Sequence, residues 1–220
     1  MKNKLIIAIF LFLPLASCCQ FPGFSISTDI GIQRNFKKDQ RFWAFGHTTH
    51  AQFHLTRTDG IYVWFAYYSG GKFHNDLVAT AKDPLTVPQQ IAYRNNAKIR
   101  LKQFSTGWKR YLKGAPDTEK DWSLYGYAGL GLLLGRVDNI HSVSIDTAGY
   151  SLPVRKGKGN FKRLTLDLGL GVEFPIGNDF YFYSEARAWI PTTDYPSDYL
   201  FVNNKAPFTG MFSSGLRILF

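Results

Sequence analysis

From Arg163 to Phe174 the chain reads Arg-Leu-Thr-Leu-Asp-Leu-Gly-Leu-Gly-Val-Glu-Phe. Leu164, Leu166, Leu168, Leu170, Val172 and Phe174 share one parity; Arg163, Thr165, Asp167, Gly169, Gly171 and Glu173 share the other. A strand turns successive side chains to opposite faces, so one face is apolar throughout and the other polar and charged. Strands of soluble sheets usually run about five or six residues. Here the alternation persists for the ~9–11 residues with which a tilted strand crosses a bilayer. It predicts a transmembrane barrel strand, leucines toward lipid and charges inside. The glycines fall on the inner face, where a narrow lumen favours small side chains.

Composition agrees with strands rather than helices. Aromatic residues make up 16% of the chain, mean hydropathy is only −0.16, and no stretch after the N-terminal segment approaches the ~20 apolar residues of a spanning helix. A helical membrane protein is excluded, whereas a barrel, half of whose strand residues are polar, is not. Met1-Lys-Asn-Lys4 followed by Leu5–Leu15 reads as an export signal. Its processing has two readings. Leu15-Ala16-Ser17-Cys18 resembles a lipobox with Cys18 lipidated; the alternative is cleavage after Cys19, with residues 1–19 as signal and 20–220 as one barrel domain. Both cysteines fall in this leader, so no disulfide is expected in the mature chain. Loss of Lys2 and Lys4 takes the formal charge from +10 down by two to about +8. That sign suits anionic headgroups or lipopolysaccharide phosphates, and the leader argues against nucleic acid.

Alternation recurs along the chain. Strands are expected at Phe24–Gln33, Trp43–Leu55, Ile61–Tyr68, Ala97–Leu112, Trp122–Gly135, Arg163–Phe174, Phe180–Ile190 and Phe212–Phe220. On the fourth, Ile99 and Leu101 are read as outward and Lys98, Arg100 and Lys102 as inward. An apparent parity change near Gln103 predicts a bulge. Connections after the second, fourth and sixth strands are tight, Thr58-Asp59-Gly60 among them. The others are basic or long, namely Arg34–Arg41, Gly70–Asn96, Arg136–Lys162 and Pro191–Pro207. Short turns at one end and long loops at the other are the asymmetry of outer-membrane barrels. The fold class expected is all-β, an eight-stranded antiparallel transmembrane up-and-down β-barrel.

With these marks the chain resembles the small bacterial outer-membrane β-barrel proteins, the group that includes the eight-stranded OmpX and OmpA barrels. The resemblance spans Phe24 to Phe220. It implies an outer-membrane location and makes Phe212, Leu216, Ile218 and Phe220 the recognition signal for the barrel-assembly machinery.

Four constellations are candidates for function. Asp29, Lys98, Arg100, Lys102, Arg163, Asp167, Glu173, Glu185, Arg187 and Arg217 are read as inward. An eight-stranded barrel has room inside only for side chains, so these charges are expected to pair as a lumenal network. Trp43, Trp108, Trp122, Tyr181, Trp189 and Tyr199 are read as interfacial girdles; turned inward, aromatics would instead line a hydrophobic conduit like that of OmpW-type barrels. His47, His50 and His54 are polar filler, since positions i and i+4 of a strand lie about 13 Å apart. His141 with Ser142 or Ser144 resembles the pair of outer-membrane lipid A deacylases, but it falls in an expected loop with no orienting acid. Basic residues Lys37, Lys38, Arg41, Arg155, Lys156, Lys158 and Lys162 are solvated loop charges able to meet lipopolysaccharide. The reading is a non-enzymatic surface or structural protein without cofactor or metal, its external partner unknown. A narrow hydrophobic conduit is the alternative, and a lipid-modifying enzyme the third.

Overall fold

The computed structural model describes residues 23–192, 198–200 and 208–220. The strands are β1 (Phe24–Asn35), β2 (Trp43–His54), β3 (Asp59–Ala81), β4 (Gln90–Lys113), β5 (Ser123–His141), β6 (Tyr150–Ser151), β7 (Gly157–Gly177), β8 (Phe180–Pro191) and β9 (Thr209–Leu219). All but β6 form a closed antiparallel ring, because β1 pairs with both β2 and β9 while β2 also pairs with β3. β6 is a two-residue addition to the far end of β3. Closure leaves no unpaired strand edge in the ring.

Which face is inside follows from neighbouring residues. Ile30 is 77% exposed and Asp29 beside it 2%. Leu164, Leu168 and Leu170 are exposed on β7, while Arg163, Asp167 and Glu173 are buried. The expected alternation therefore holds with the expected sense, and no helix or second sheet covers the leucine face among the described residues. At the tight end, the amides of Leu55 and Thr56 donate to the Asp59 carbonyl. Asn178 takes φ 47° in the turn between β7 and β8, a left-handed conformation that asparagine tolerates.

Two expectations about length and register are corrected. Gly70–Asn96 and Arg136–Lys162 are not simply loops: β3 and β4 continue pairing to Thr80 and Gln90, and β5 and β7 to Asn139 and Gly157. β3 and β4 have 23 and 24 residues, against 12 for β1, β2 and β8. At ~3.4 Å per residue and a tilt near 40°, a 24-residue strand rises roughly 60 Å, well over twice the ~25 Å of an apolar band. Nor is there a bulge at Gln103. β4 runs in unbroken register against β3 from Leu101 to Arg110, and the irregularity lies on β3 between Tyr68 and Gly71.

Continuous register puts Lys98, Arg100 and Lys102 outside and Ala97, Ile99 and Leu101 inside. The assignment of Lys98, Arg100 and Lys102 to the lumen is thus overturned. The cause is a change of solvent along one strand. In the lower half the outward face is apolar and the inward face polar. Above Phe104 the strand stands in water, and the same period of two carries charges outward and apolar groups inward. Phe42, Phe73, Ala97, Ile99, Leu101, Leu133, Val137 and Phe161 meet there as an apolar core inside the upper barrel. A smaller one, of Leu77, Ala79, Tyr93 and Val154, closes the tip under β6.

Candidate functional site

The lower lumen is built from two buried ionic clusters. Glu173, brought in by the organising stretch of β7, accepts from Lys109 Nζ at 2.9 Å, Arg217 Nη2 at 3.0 Å and the Tyr111 hydroxyl at 3.0 Å. Lys109 also donates to Gln52 Oε1 at 3.1 Å and lies 3.4 Å from the centre of the Tyr125 ring. Arg217 donates to the Pro116 carbonyl at 2.7 Å, a link from β9 to the turn after β4. The second cluster surrounds Arg187 on β8. Its guanidinium meets Asp29, Glu185 Oε2 at 2.5 Å, Thr48 Oγ1 at 2.9 Å and His50 Nε2 at 2.9 Å. The Trp64 ring stacks 4.4 Å away. Tyr125 joins the two clusters, donating to Glu185 at 2.6 Å from beneath Lys109.

Asp29, His50 and Glu185 could by spacing hold a metal ion, but Arg187 Nη2 lies within hydrogen-bond reach of all three. A guanidinium already supplies the positive charge there. Asp167 sits apart, accepting from Gln103 at 2.7 Å, Thr165 at 2.8 Å and Ser105. Among the described residues, four buried carboxylates (Asp29, Asp167, Glu173, Glu185) face four buried cations (Lys109, Arg163, Arg187, Arg217). The bore is neutral by count, as burial of ions in a low-dielectric wall requires.

Inward aromatics fill what the ions leave. Tyr62, Trp64, Tyr68, Tyr125, Tyr127, Tyr183 and Trp189 are all buried. Tyr125 and Tyr127 lie flat across Gly171 and Gly169 of β7: a Cβ on either glycine would stand 2.4 or 2.2 Å from the ring's Cζ. The glycines are therefore seats for rings from the next strand, a sharper use than small filler. The void at the level of His50, Trp64, Lys109 and Glu185 is about 10 Å³, no more than one water-sized probe needs.

No family model matches the sequence, and no curated protein matches it. Solved structures do match in shape. Neisserial surface protein A has a TM-score of 0.59 at 14% identity, over 90% of this chain and 97% of its own. Ail, the attachment invasion locus protein of Yersinia pestis, has a TM-score of 0.50 at 13% identity, over 91% of this chain and 100% of its own. Ail has also been solved in complex with the heparin analogue sucrose octasulfate. The fold is that of an eight-stranded outer-membrane β-barrel.

In this barrel two grooves open outward. One of about 670 Å³ lies over the small residues Gly126, Ala128, Ala186 and Ala188 on the lipid-facing wall. The other, about 700 Å³, lies at the upper edge of the belt and includes Arg100, Lys102, Arg136 and Lys162. Trp43, Trp108 and Trp122 are outward and half-exposed, but Tyr181 and Trp189 point inward, and Tyr199 packs on the upper core. The latter three leave the expected girdle because their neighbours bury them. His50 and His54 face inward, His54 bonding Ser25 at 3.0 Å, whereas His47 faces out. His141 is not in a loop: it ends β5 and packs against Tyr93 inside the barrel, the rings tilted with centroids 4.6 Å apart. Ser142 Oγ accepts the Arg94 amide. Phe212, Leu216 and Phe220 are exposed, and Ile218 shares their outward face. Cys18 lies outside the described residues, as do Tyr195 and Phe201.

Sequence reasoning missed Lys109. The usable signal was parity, since Gln103, Ser105, Gly107, Lys109 and Tyr111 alternate without interruption.

Proposed function

We propose that this chain is a non-conducting barrel of a bacterial outer membrane, without catalytic machinery, that acts through the surface it raises above the membrane. One observation carries the closed bore: at the level of His50, Trp64, Lys109 and Glu185, paired ions and aromatic rings leave a void of only about 10 Å³. A hydrophobic conduit would need inward aromatics around open space, and Tyr62, Trp64 and Tyr127 instead pack edge to face on one another. A lipid-modifying site would need His141 beside lipid, and it is packed against Tyr93 within the upper barrel.

The raised surface is the outward face of β3, β4, β5 and β7 above the apolar belt. It carries Lys72, Lys98, Arg100, Lys102, Arg136, Lys158 and Lys162, and a basic wall suits anionic partners. The complex of Ail with a sulfated heparin analogue is in keeping with that sign. Planar-bilayer recording on the refolded full chain tests the closed bore. Wild type should show no stable openings; discrete, reproducible conductance steps would refute it.

A further inference from the structure

We propose that the outer wall at the top of the apolar belt is a seat for the phosphates of an outer-leaflet glycolipid, with Arg100, Lys102, Arg136 and Lys162 as its ligands. The proposal rests on the membrane placement above and adds the site. Register brings the four together from three adjacent strands. Lys102 on β4 pairs with Leu134 on β5, which pairs with Lys162 on β7; one row higher, Arg100 pairs with Arg136 and Arg136 with Asn160. Adjacent strands lie ~4.8 Å apart and successive outward rows ~6.8 Å apart, so all four side-chain ends can converge on one headgroup.

They do more than share a face. All four line one groove of about 700 Å³, with Phe65, Tyr67 and Leu134 on its apolar side. All four are exposed, and none makes an ion pair among the described residues. The nearest acid on this face, Asp138, lies one row further up, opposite Lys98 and Lys158. The next row down is Phe104, Leu132 and Leu164, entirely apolar. Four unbalanced cations standing on the first row of hydrocarbon contact describe the chemistry of a phosphorylated headgroup whose acyl chains run down the wall. A bisphosphorylated, acylated disaccharide of the lipid A type fits; a soluble phosphate would use the cations and ignore the wall beneath them.

The test uses the full chain refolded in detergent micelles and titrated with lipid A bearing two phosphates, with the same glycolipid stripped of them, and with inorganic phosphate. A juxtamembrane cation contributes about five-fold in affinity for anionic lipid. Lys102→Gln/Lys162→Gln should therefore weaken binding of the bisphosphorylated lipid about 25-fold. Lys102→Arg/Lys162→Arg should keep it, and the opposite-end control Arg57→Gln/Lys120→Gln should change it less than two-fold. Equal binding by the Gln variant and wild type overturns the proposal, as does equal binding of the dephosphorylated lipid or full competition by millimolar phosphate. A chain that refolds yet fails these tests sinks the site alone. A chain whose apolar belt takes up no lipid at all sinks the membrane placement as well.

Discussion

Lys109 and Glu173 offer the most direct measurement of what holds the bore together. Their side chains are 4% and 2% exposed and 2.9 Å apart, so each removal strands a partner in a place water does not reach. Breaking a buried pair from one side costs about 3–5 kcal/mol. Glu173→Gln belongs at the upper end, because it leaves Lys109 and Arg217 facing each other with no carboxylate between them. Lys109→Met belongs at the lower end, because Glu173 keeps Arg217 and the Tyr111 hydroxyl. The double variant restores neutrality to the bore, three carboxylates against three cations, with Arg217 still bonded to the Pro116 carbonyl. It should cost less than the two single changes together by about 2–3 kcal/mol, the coupling of residues in one network. Urea unfolding of the barrel in lipid vesicles reads this, with Trp64 and Trp189 inside the barrel as fluorophores. Additivity within about 0.5 kcal/mol would mean two independent sites and would refute the neutral-bore reasoning. So would a Lys102→Gln variant as damaged as Lys109→Met.

Gly171→Ala should destabilise by about 1–3 kcal/mol, since its methyl would take the place of the Tyr125 ring and break the bond to Glu185. Gly126→Ala, whose methyl meets the flexible end of Leu170 and, at ordinary contact distance, the Gly169 carbonyl, should be close to neutral in the same urea titration; equal costs would show that ring seating contributes nothing. His141, outside the apolar belt, has its pKa lowered by burial and then by the charge of Lys156. The folded form thus binds its proton less readily than the unfolded chain, whose value is near 6.5. Stability at the His141–Tyr93 contact is then fully present above about pH 6.5 and declines as pH falls below it. Hydrogen exchange of the β3–β4 tip, corrected for intrinsic rates, should show protection falling between pH 7.5 and 5.5 in wild type but not in His141→Phe; unchanged protection in wild type counts against this. The exposed Asp76–Arg94 bridge should be worth less than about 1 kcal/mol, so Arg94→Gln should leave the unfolding midpoint nearly unmoved.

Most of the ring was legible because period-two alternation survives wherever one side of the wall is lipid. β7 carries an unbroken apolar parity from Leu164 to Phe174, and β1 from Phe24 to Ile32 and β9 from Phe212 onward carry one interrupted once each, at Thr28 and Ser214; a single-residue slip would turn all of it inward. The upper halves of β3 and β4 were not legible as strands. Gly70, Gly71, Asn75 and Asp76 on one side and Asn95 and Asn96 on the other are weak strand formers taken singly. They pair nonetheless because Phe73, Leu77, Tyr93 and Ala97 bury inward between them. Tyr181 and Trp189 were misplaced by residue type when parity was available: both alternate in step with Tyr183, Glu185 and Arg187.

The error on β4 carried its own warning in the charge count. Lys98, Arg100, Lys102, Arg163, Arg187 and Arg217 set against Asp29, Asp167, Glu173 and Glu185 leave two excess cations in a bore ringed by hydrocarbon. Salt cannot screen that excess, because ions of the buffer do not enter. Exchanging Lys98, Arg100 and Lys102 for Lys109 brings the count to zero, as the structure shows. Above the belt no such constraint acts, since water and salt reach the outward face. There Lys98, Arg100, Lys102, Arg136, Lys158 and Lys162 stand against Asp138 on β4, β5 and β7. Among the described residues the positive excess is therefore carried outside the bore. A positive excess that contributes nothing to the barrel's interior is free to be spent on whatever anion lies at the membrane surface, and removing it should change binding while leaving the urea midpoint where it was.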